Sequence, residues 1–215
     1  MSFATQADMT TTARFMLSGI LMVLLLAPGV AQAQDFGVAE SAETIDRGTF
    51  KIKANPMLLF GGDNLDNDIG INLMAGYGFT DSFDLEGGVV FYDGVTFFGV
   101  NAEYWAVKNG SVDFSVGGGV HFGRGDNTFD TTGVDLTFIG SGRTSPRLEL
   151  YGALDFAFER FDDDFIGDGF TTVHIVPGME YQLKDNLDFV AELGIGITDE
   201  SSNYVTAGVA YYFRD

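Results

Sequence analysis

The sequence predicts an all-β chain, an up-and-down antiparallel transmembrane β-barrel of about ten strands, or of eight if two weaker segments stay outside the sheet. Three observations carry this prediction. Period-two alternation begins near residue 49 and runs almost to the end of the chain, as in strands with two chemically different faces. The connections alternate between tight turns and longer, mostly acidic loops, the asymmetry of barrels with short turns at one end. One face collects aromatic side chains near the segment ends, where interfacial girdles sit, while the other collects glycine, which suits a crowded, curved interior.

Composition agrees and narrows the function. The chain has 215 residues with 29 Gly, no Cys and a formal net charge of −20, enough for one domain or one barrel. With 31 acidic against 11 basic side chains it is no partner for nucleic acid, since affinity for a polyphosphate comes from Lys and Arg displacing counterions. The absence of cysteine removes disulfide frameworks and thiolate metal sites. Aromatics at 14 %, with only 4 Pro, argue against disorder and for many short strands.

Residues 1–33 read as a signal peptide. Arg14 forms the positive region, Phe15 to Ala27 the apolar core, and Ala31-Gln32-Ala33 an A-x-A cleavage pattern. The apolar run is shorter than the roughly 20 residues of a spanning helix. A mature chain starting at Gln34 loses only Asp8 and Arg14, so it keeps the net charge of −20. Residues 34–48 are then a polar periplasmic lead-in, and 49–215 the barrel domain.

The ten segments fall at 49–60, 68–79, 83–92, 95–107, 111–123, 132–140, 147–160, 170–183, 187–198 and 203–213. The first turns Lys51 and Lys53 inward and Phe60 outward, with a bulge expected at Pro56, which cannot donate to the ladder. The second sets Gly70, Gly76 and Gly78 against Tyr77 and Phe79, and the third sets Asp84, Glu86 and Gly88 against Phe83 and Phe91. In the fourth, Glu103 faces in and Tyr104 out, while Trp105 is lumenal by register or a belt residue if a bulge intervenes. The fifth alternates best, with Val112, Phe114, Val116, Val120 and Phe122 opposite Asp113, Ser115, Gly117, Gly119 and His121. The sixth is short and carries Asp135, and the seventh turns Arg147, Glu149, Asp155 and Glu159 inward. The eighth brings His174 and Glu180, with a second bulge expected at Pro177. The ninth sets Asp188, Glu192, Gly194 and Gly196 against Leu187, Phe189, Leu193 and Ile195. In the tenth, Gly208 faces in while Tyr211 and Phe213 face out.

That last segment, Thr206-Ala207-Gly208-Val209-Ala210-Tyr211-Tyr212-Phe213, resembles the C-terminal assembly signal of bacterial outer-membrane β-barrels, with Gly208 followed by aromatics two apart at Tyr211 and Phe213. Together with the leader and the ten segments, the mature chain resembles the porin-like small barrels of that family. Arg214 and Asp215 depart from the pattern, in which the chain commonly ends on the aromatic. The resemblance implies a Gram-negative outer-membrane location, the barrel-assembly machinery as a partner, and outer-membrane lipid and lipopolysaccharide as surroundings. It implies no particular activity.

The expected lumen is acidic. Asp84, Glu86, Glu103, Asp113, Glu149, Glu180, Asp188 and Glu192 lie in the half nearer the short turns, with Lys51, Lys53 and Arg147 as the basic groups. Carboxylate rings favour cations over anions, so a porin-like role with cation preference is one expectation, and a structural barrel sealed by its own ion pairs is the other. No cofactor and no enzyme activity are expected. The rival readings are an outer-membrane hydrolase using His121, His174 and rim carboxylates, which lacks any nucleophile motif, and a soluble periplasmic ligand-binding barrel with its apolar face inward. The acidic loops, including Asp63, Asp66, Asp126, Asp162, Asp163, Asp164 and Asp168, could take divalent cations.

Overall fold

The computed structural model describes residues 37–60, 67–109, 111–125, 130–161 and 169–214. Residues 1–33, expected as a signal peptide, and most of the acidic loop residues, including Asp63, Asp66, Asp126, Asp162, Asp163, Asp164 and Asp168, lie outside these. The ten strands are β1 (Phe50–Phe60), β2 (Asp68–Thr80), β3 (Phe83–Tyr92), β4 (Val95–Val107), β5 (Asp113–Gly125), β6 (Thr131–Ser145), β7 (Leu148–Phe161), β8 (Phe170–Lys184), β9 (Leu187–Gly196) and β10 (Asn203–Phe213). Each pairs antiparallel with its neighbours in sequence, and β1 pairs with β10 to close the barrel. The eight-strand alternative fails because β1 pairs on both edges and β6 runs 15 residues, well past the expected 132–140. Ser141 and Arg143 keep the alternation going opposite Tyr151 and Glu149, so the loop expected at Ser141 to Pro146 shrinks to Pro146 and Arg147.

Neither proline makes a bulge. Pairing between β1 and β10 skips Asn55 and Pro56 without changing register, and pairing between β8 and β9 skips Val176 and Pro177 in the same way. Each proline stays in register with its other neighbour, opposite Ile71 and Gly152 respectively, so the missing N–H costs local pairing on one edge only. Pro56 keeps its carbonyl satisfied by the Thr206 hydroxyl at 2.9 Å. The register shifts lie elsewhere, at Gly78/Thr80, Trp105/Val107, Arg143/Ser145 and Gln182/Lys184, all beside the short turns. Trp105 sits at one of them, donating its indole N–H to the Val107 carbonyl while the Lys108 ammonium lies 3.9 Å from its ring centre.

The two faces separate by chemistry. Ile69, Ile71, Leu73, Val100, Val120, Phe122, Leu150 and Ile175 are exposed on the outside, as are Tyr77, Phe79, Tyr104, Phe114, Phe158, Tyr211 and Phe213. Lys51, Lys53, Asp84, Glu86, Glu103, Glu149, Glu159 and Glu192 are buried inside. The barrel therefore has an inverted pattern, with an apolar exterior around a charged interior, and a soluble barrel with its apolar face inward is ruled out by these positions.

Residues expected as a lead-in outside the barrel instead run inside it. Val38, Ala39, Ser41, Ala42, Thr44 and Ile45 are all buried. The segment reaches β1 at the barrel end that holds the chain's carboxyl-terminal strand end, where Gly48 N donates to the Gly78 carbonyl at 2.8 Å. From there it extends past the middle of the lumen to Gly37, which lies against Glu192, Met57 and Tyr204. Glycine makes the room: a Cβ on Gly76 would meet Ile45 and Glu86, and one on Gly78 would overlap the Ile45 and Asp46 carbonyls. Met57, Leu59, Ile139, Tyr151, Val176, Val190 and Tyr204 form a compact apolar cluster in the lumen with Val38, Ala39 and Ala42 of the segment. Single cysteines in place of the exposed Val120 and the fully buried Ser115 are expected to differ sharply with a lipid-confined maleimide after reconstitution into vesicles: Val120→Cys labels and Ser115→Cys does not.

Candidate functional site

The site is the lumen and the segment it holds. A backbone that crosses a lumen outside any sheet must find acceptors for its N–H groups, because an unpaired buried donor costs about 1–3 kcal/mol. The wall supplies them. Val38 N and Ala39 N donate to the two Glu192 carboxylate oxygens at 3.0 and 2.5 Å. Ser41 N donates to Glu180 at 3.4 Å, Ala42 N to the Ser141 hydroxyl at 3.2 Å, and Ile45 N to Asp84 at 2.7 Å. Three of the carboxylates expected to line an acidic path are thus occupied by backbone of the chain itself.

Glu192 is the best-satisfied of them. Besides the two N–H groups it accepts the Tyr151 hydroxyl at 2.7 Å and the Tyr204 hydroxyl at 2.9 Å. Ala39 takes a positive φ of 48° and Gly37 one of 66°, turning successive N–H groups toward one anion in the manner of a backbone nest. The left-handed conformation is uncommon for alanine, and here the two-oxygen grip of Glu192 holds it.

A second grip is ionic. Lys51 and Lys53 project from β1 and each pairs with two carboxylates, Glu86 on the wall and Glu40 on the segment. Their distances to Glu40 are 3.1 and 3.3 Å, and Lys53 also donates to the Ala39 carbonyl at 3.4 Å. Two ammonium groups facing a single wall carboxylate would leave an uncompensated buried cation, so Glu40 completes the set. At the mouth, Arg143 pairs with Glu43 at 2.7 Å and with Glu149 at 3.4 Å, and Glu149 also accepts the Ser141 hydroxyl at 2.5 Å. Burial, with the neighbouring Glu149 charge, holds the Glu43 carboxyl above its ordinary range against the opposing pull of Arg143. Glu43, Asp113 and Glu149 bring carboxylate oxygens within 4.8 Å of one another, and the Arg143 guanidinium pairs with two of the three.

The remaining expected residues divide. Asp113 is buried and accepts the Asn109 N–H of the neighbouring turn at 3.1 Å. Glu103 is buried and lines a small cavity of about 40 Å³ beside Val38 and Glu40, together with Asn101 and Thr137. Asp188 lines a larger cavity of about 280 Å³ at the mouth, with Glu43, Lys51, Glu180 and Tyr212. Arg147 is a correction: it lies exposed in the β6–β7 turn rather than on the lumenal wall, and Arg143 makes the ion pairs expected of it. Gly208 packs against Asn55 and the Ala54 carbonyl where β10 meets β1, while Tyr211 and Phe213 stack edge to face on the outside with centroids 4.8 Å apart.

Toward the other end, His121 is fully buried between Asp135, 2.8 Å from Nδ1, and Glu159, 2.5 Å from Nε2. Both ring nitrogens are engaged by carboxylates, which leaves none directed at a hydroxyl nucleophile. His174, also fully buried, donates its Nε2–H to the Ser202 carbonyl, 2.9 Å away. Glu40, Glu43, Tyr151 and Tyr204 are the site residues the sequence pattern did not single out. The run Gly37-Val38-Ala39-Glu40-Ser41-Ala42 is unusually rich in small residues for a solvated tether, and that was the available signal.

Comparison with known proteins bears on the fold. No protein-family model and no curated protein matches the chain. Among solved structures, an outer membrane channel from Pseudomonas putida superposes with a TM-score of 0.55 at 10 % identity, covering 82 % of this chain and all of that one. The KdgM porin in complex with disordered oligogalacturonate matches with a TM-score of 0.45 at 16 % identity, over 76 % of this chain and 99 % of that one. Ail, the attachment invasion locus protein of Yersinia pestis, matches with a TM-score of 0.36 at 14 % identity, over 77 % of this chain and 97 % of that one. At 10 % identity, what the Pseudomonas putida channel shares with this chain is the barrel fold. Because four donors converge on Glu192, Glu192→Ala is expected to lower stability by more than about 3 kcal/mol and Glu192→Gln by clearly less, read as urea-unfolding midpoints of the refolded chain in lipid.

Proposed function

We propose that this chain is a porin-like outer-membrane barrel whose resting lumen is closed by its own amino-terminal segment, and whose acidic wall favours cations once that segment leaves. The observation that carries the reading is the inverted distribution of side chains. An exterior of Ile, Leu, Val and Phe is stable against hydrocarbon and unstable in water, and the charged interior gives a polar path through it. The barrel fold shared with a bacterial outer membrane channel supports this location, as do the leader-like residues 1–33 and the aromatic close of β10.

Closure follows from the contents of the lumen. A ten-stranded barrel is narrow, and here the space is taken by residues 37–45 and by the apolar cluster packed against them. Release of the segment would free Asp84, Glu180 and Glu192 and leave the wall with more carboxylates than the lysine pair neutralises, which lowers the energy of a cation in the path. A structural barrel that never opens is the second reading, and the fourfold satisfaction of Glu192 is what favours it.

Planar-bilayer recording separates the two. The refolded chain is expected to be silent or to open rarely. Glu40→Lys, which sets a third ammonium beside Lys51 and Lys53, is expected to raise the open fraction about tenfold or more, with a reversal potential displaced toward the cation in a salt gradient. Glu103→Gln in that background should weaken the preference. A barrel carrying Glu40→Lys that is inserted, as judged by its heat-modifiable gel mobility, and still silent would establish the structural reading.

A further inference from the structure

We propose that the lumen is a peptide-binding channel, for which residues 37–48 act as a tethered ligand, and that it accepts a separate peptide of the same chemistry when the tether is displaced. This rests on the reading above that the segment can leave.

The contacts have the character of recognition of a ligand. Five backbone N–H groups between Val38 and Ile45 go to wall side chains, four of them to carboxylates and one to a hydroxyl. Such contacts read the peptide main chain and tolerate many sequences. Side-chain selection enters at two places. Around Ala39 and Ala42, which are 1 % and 0 % exposed, the lumen has space for small residues alone, and a Cβ at Gly37 would sit 2.7 Å from Glu192 Oε1. Between these small residues one carboxylate, that of Glu40, is selected by the Lys51 and Lys53 pair.

The ligand class is therefore a non-helical peptide with an acidic side chain flanked by small residues. The amino-terminal segment of a second copy of this chain has that chemistry, and so does any secreted peptide with the same spacing. The wall is prepared for it on both sides of the charge. Glu192 with Tyr151 and Tyr204 forms the deep grip, and Asp84 with the Gly76 and Gly78 slot forms the shallow one. A scaffold that only needed filling would be served by apolar side chains, which carry no desolvation cost.

The test uses the full-length barrel carrying Glu40→Lys, refolded in detergent micelles, and a fluorescent peptide with the sequence of residues 37–48. Anisotropy is expected to show saturable binding to this barrel and at least tenfold weaker binding to the unmodified one, whose lumen is occupied. A peptide with lysine in place of Glu40 should bind at least tenfold more weakly, and a barrel that carries Lys53→Glu with its native Glu40, which repels its own segment, should reverse that order. An unrelated small–acid–small peptide that binds comparably identifies the site as general for this chemistry, and one that fails identifies the chain's own segment as the ligand. In the bilayer assay, an open barrel that the peptide neither binds nor blocks overturns the peptide channel and leaves the release reading standing. A silent barrel whose micellar form binds no peptide overturns both. A second route avoids the charge substitution: a protease site built into the exposed Asp46–Gly48 turn of the folded chain frees the segment, and its exchange against labelled peptide is followed directly. A freed segment that never exchanges also overturns displacement.

Discussion

Everything inside this barrel depends on one electrostatic constraint, that a narrow interior holding many carboxylates and few cations must find each of them a donor. Desolvating an unpaired carboxylate costs several kcal/mol, and the wall provides only two deep lysines. The peptide backbone is the compensating group. It carries a donor at each residue without adding charge, so running residues 37–45 through the lumen satisfies Asp84, Glu180 and Glu192 together. The lysine pair contacts Glu86 on the wall, and Glu40 of the segment supplies its second carboxylate.

The outside answers to a different solvent and is correspondingly simple. Aliphatic side chains cover the middle of the strands, aromatic rings gather toward their ends, and no polar partner is needed for any of them. The two regimes meet in each strand at adjacent residues, as at Lys51 and Ile52 or at Ser115 and Val116. This is why a one-residue slip is so costly here: a slip of β1 would place both Lys51 and Lys53 in hydrocarbon at once.

Strand number, strand order and the faces were legible in the sequence because period two is a property of side chains, and side chains are what a sequence records. The carboxylates and Lys51 and Lys53 fell on the inner face for the same reason. What they bind was not legible. The donors that the segment brings to Glu192 and Asp84 are backbone N–H groups of residues 38, 39 and 45, and an N–H leaves no mark on residue type. Arg147 was misplaced because the sixth segment loses its apolar members after Gly140, although Ser141 and Arg143 go on alternating. The prolines misled in the opposite direction, since a missing donor was taken to force an extra residue when one edge could simply go without a pair.

Closure of β1 on β10 has a consequence for the order of assembly. The luminal segment is continuous with the first strand, and that strand zips to the last one, from Phe50 against Phe213 to Phe60 against Asn203. The two halves of this seam are the most distant pieces of the barrel in sequence, so the seam closes only after the final strand has been made. Until then the barrel is an open trough. Residues 37–48 can be laid into an open trough sideways, whereas a finished barrel would have to be threaded end-on past the Ile45 slot and the lysine pair. The seam thus works as a latch in time, and whatever occupies the trough when it shuts is the state from which the closed barrel starts.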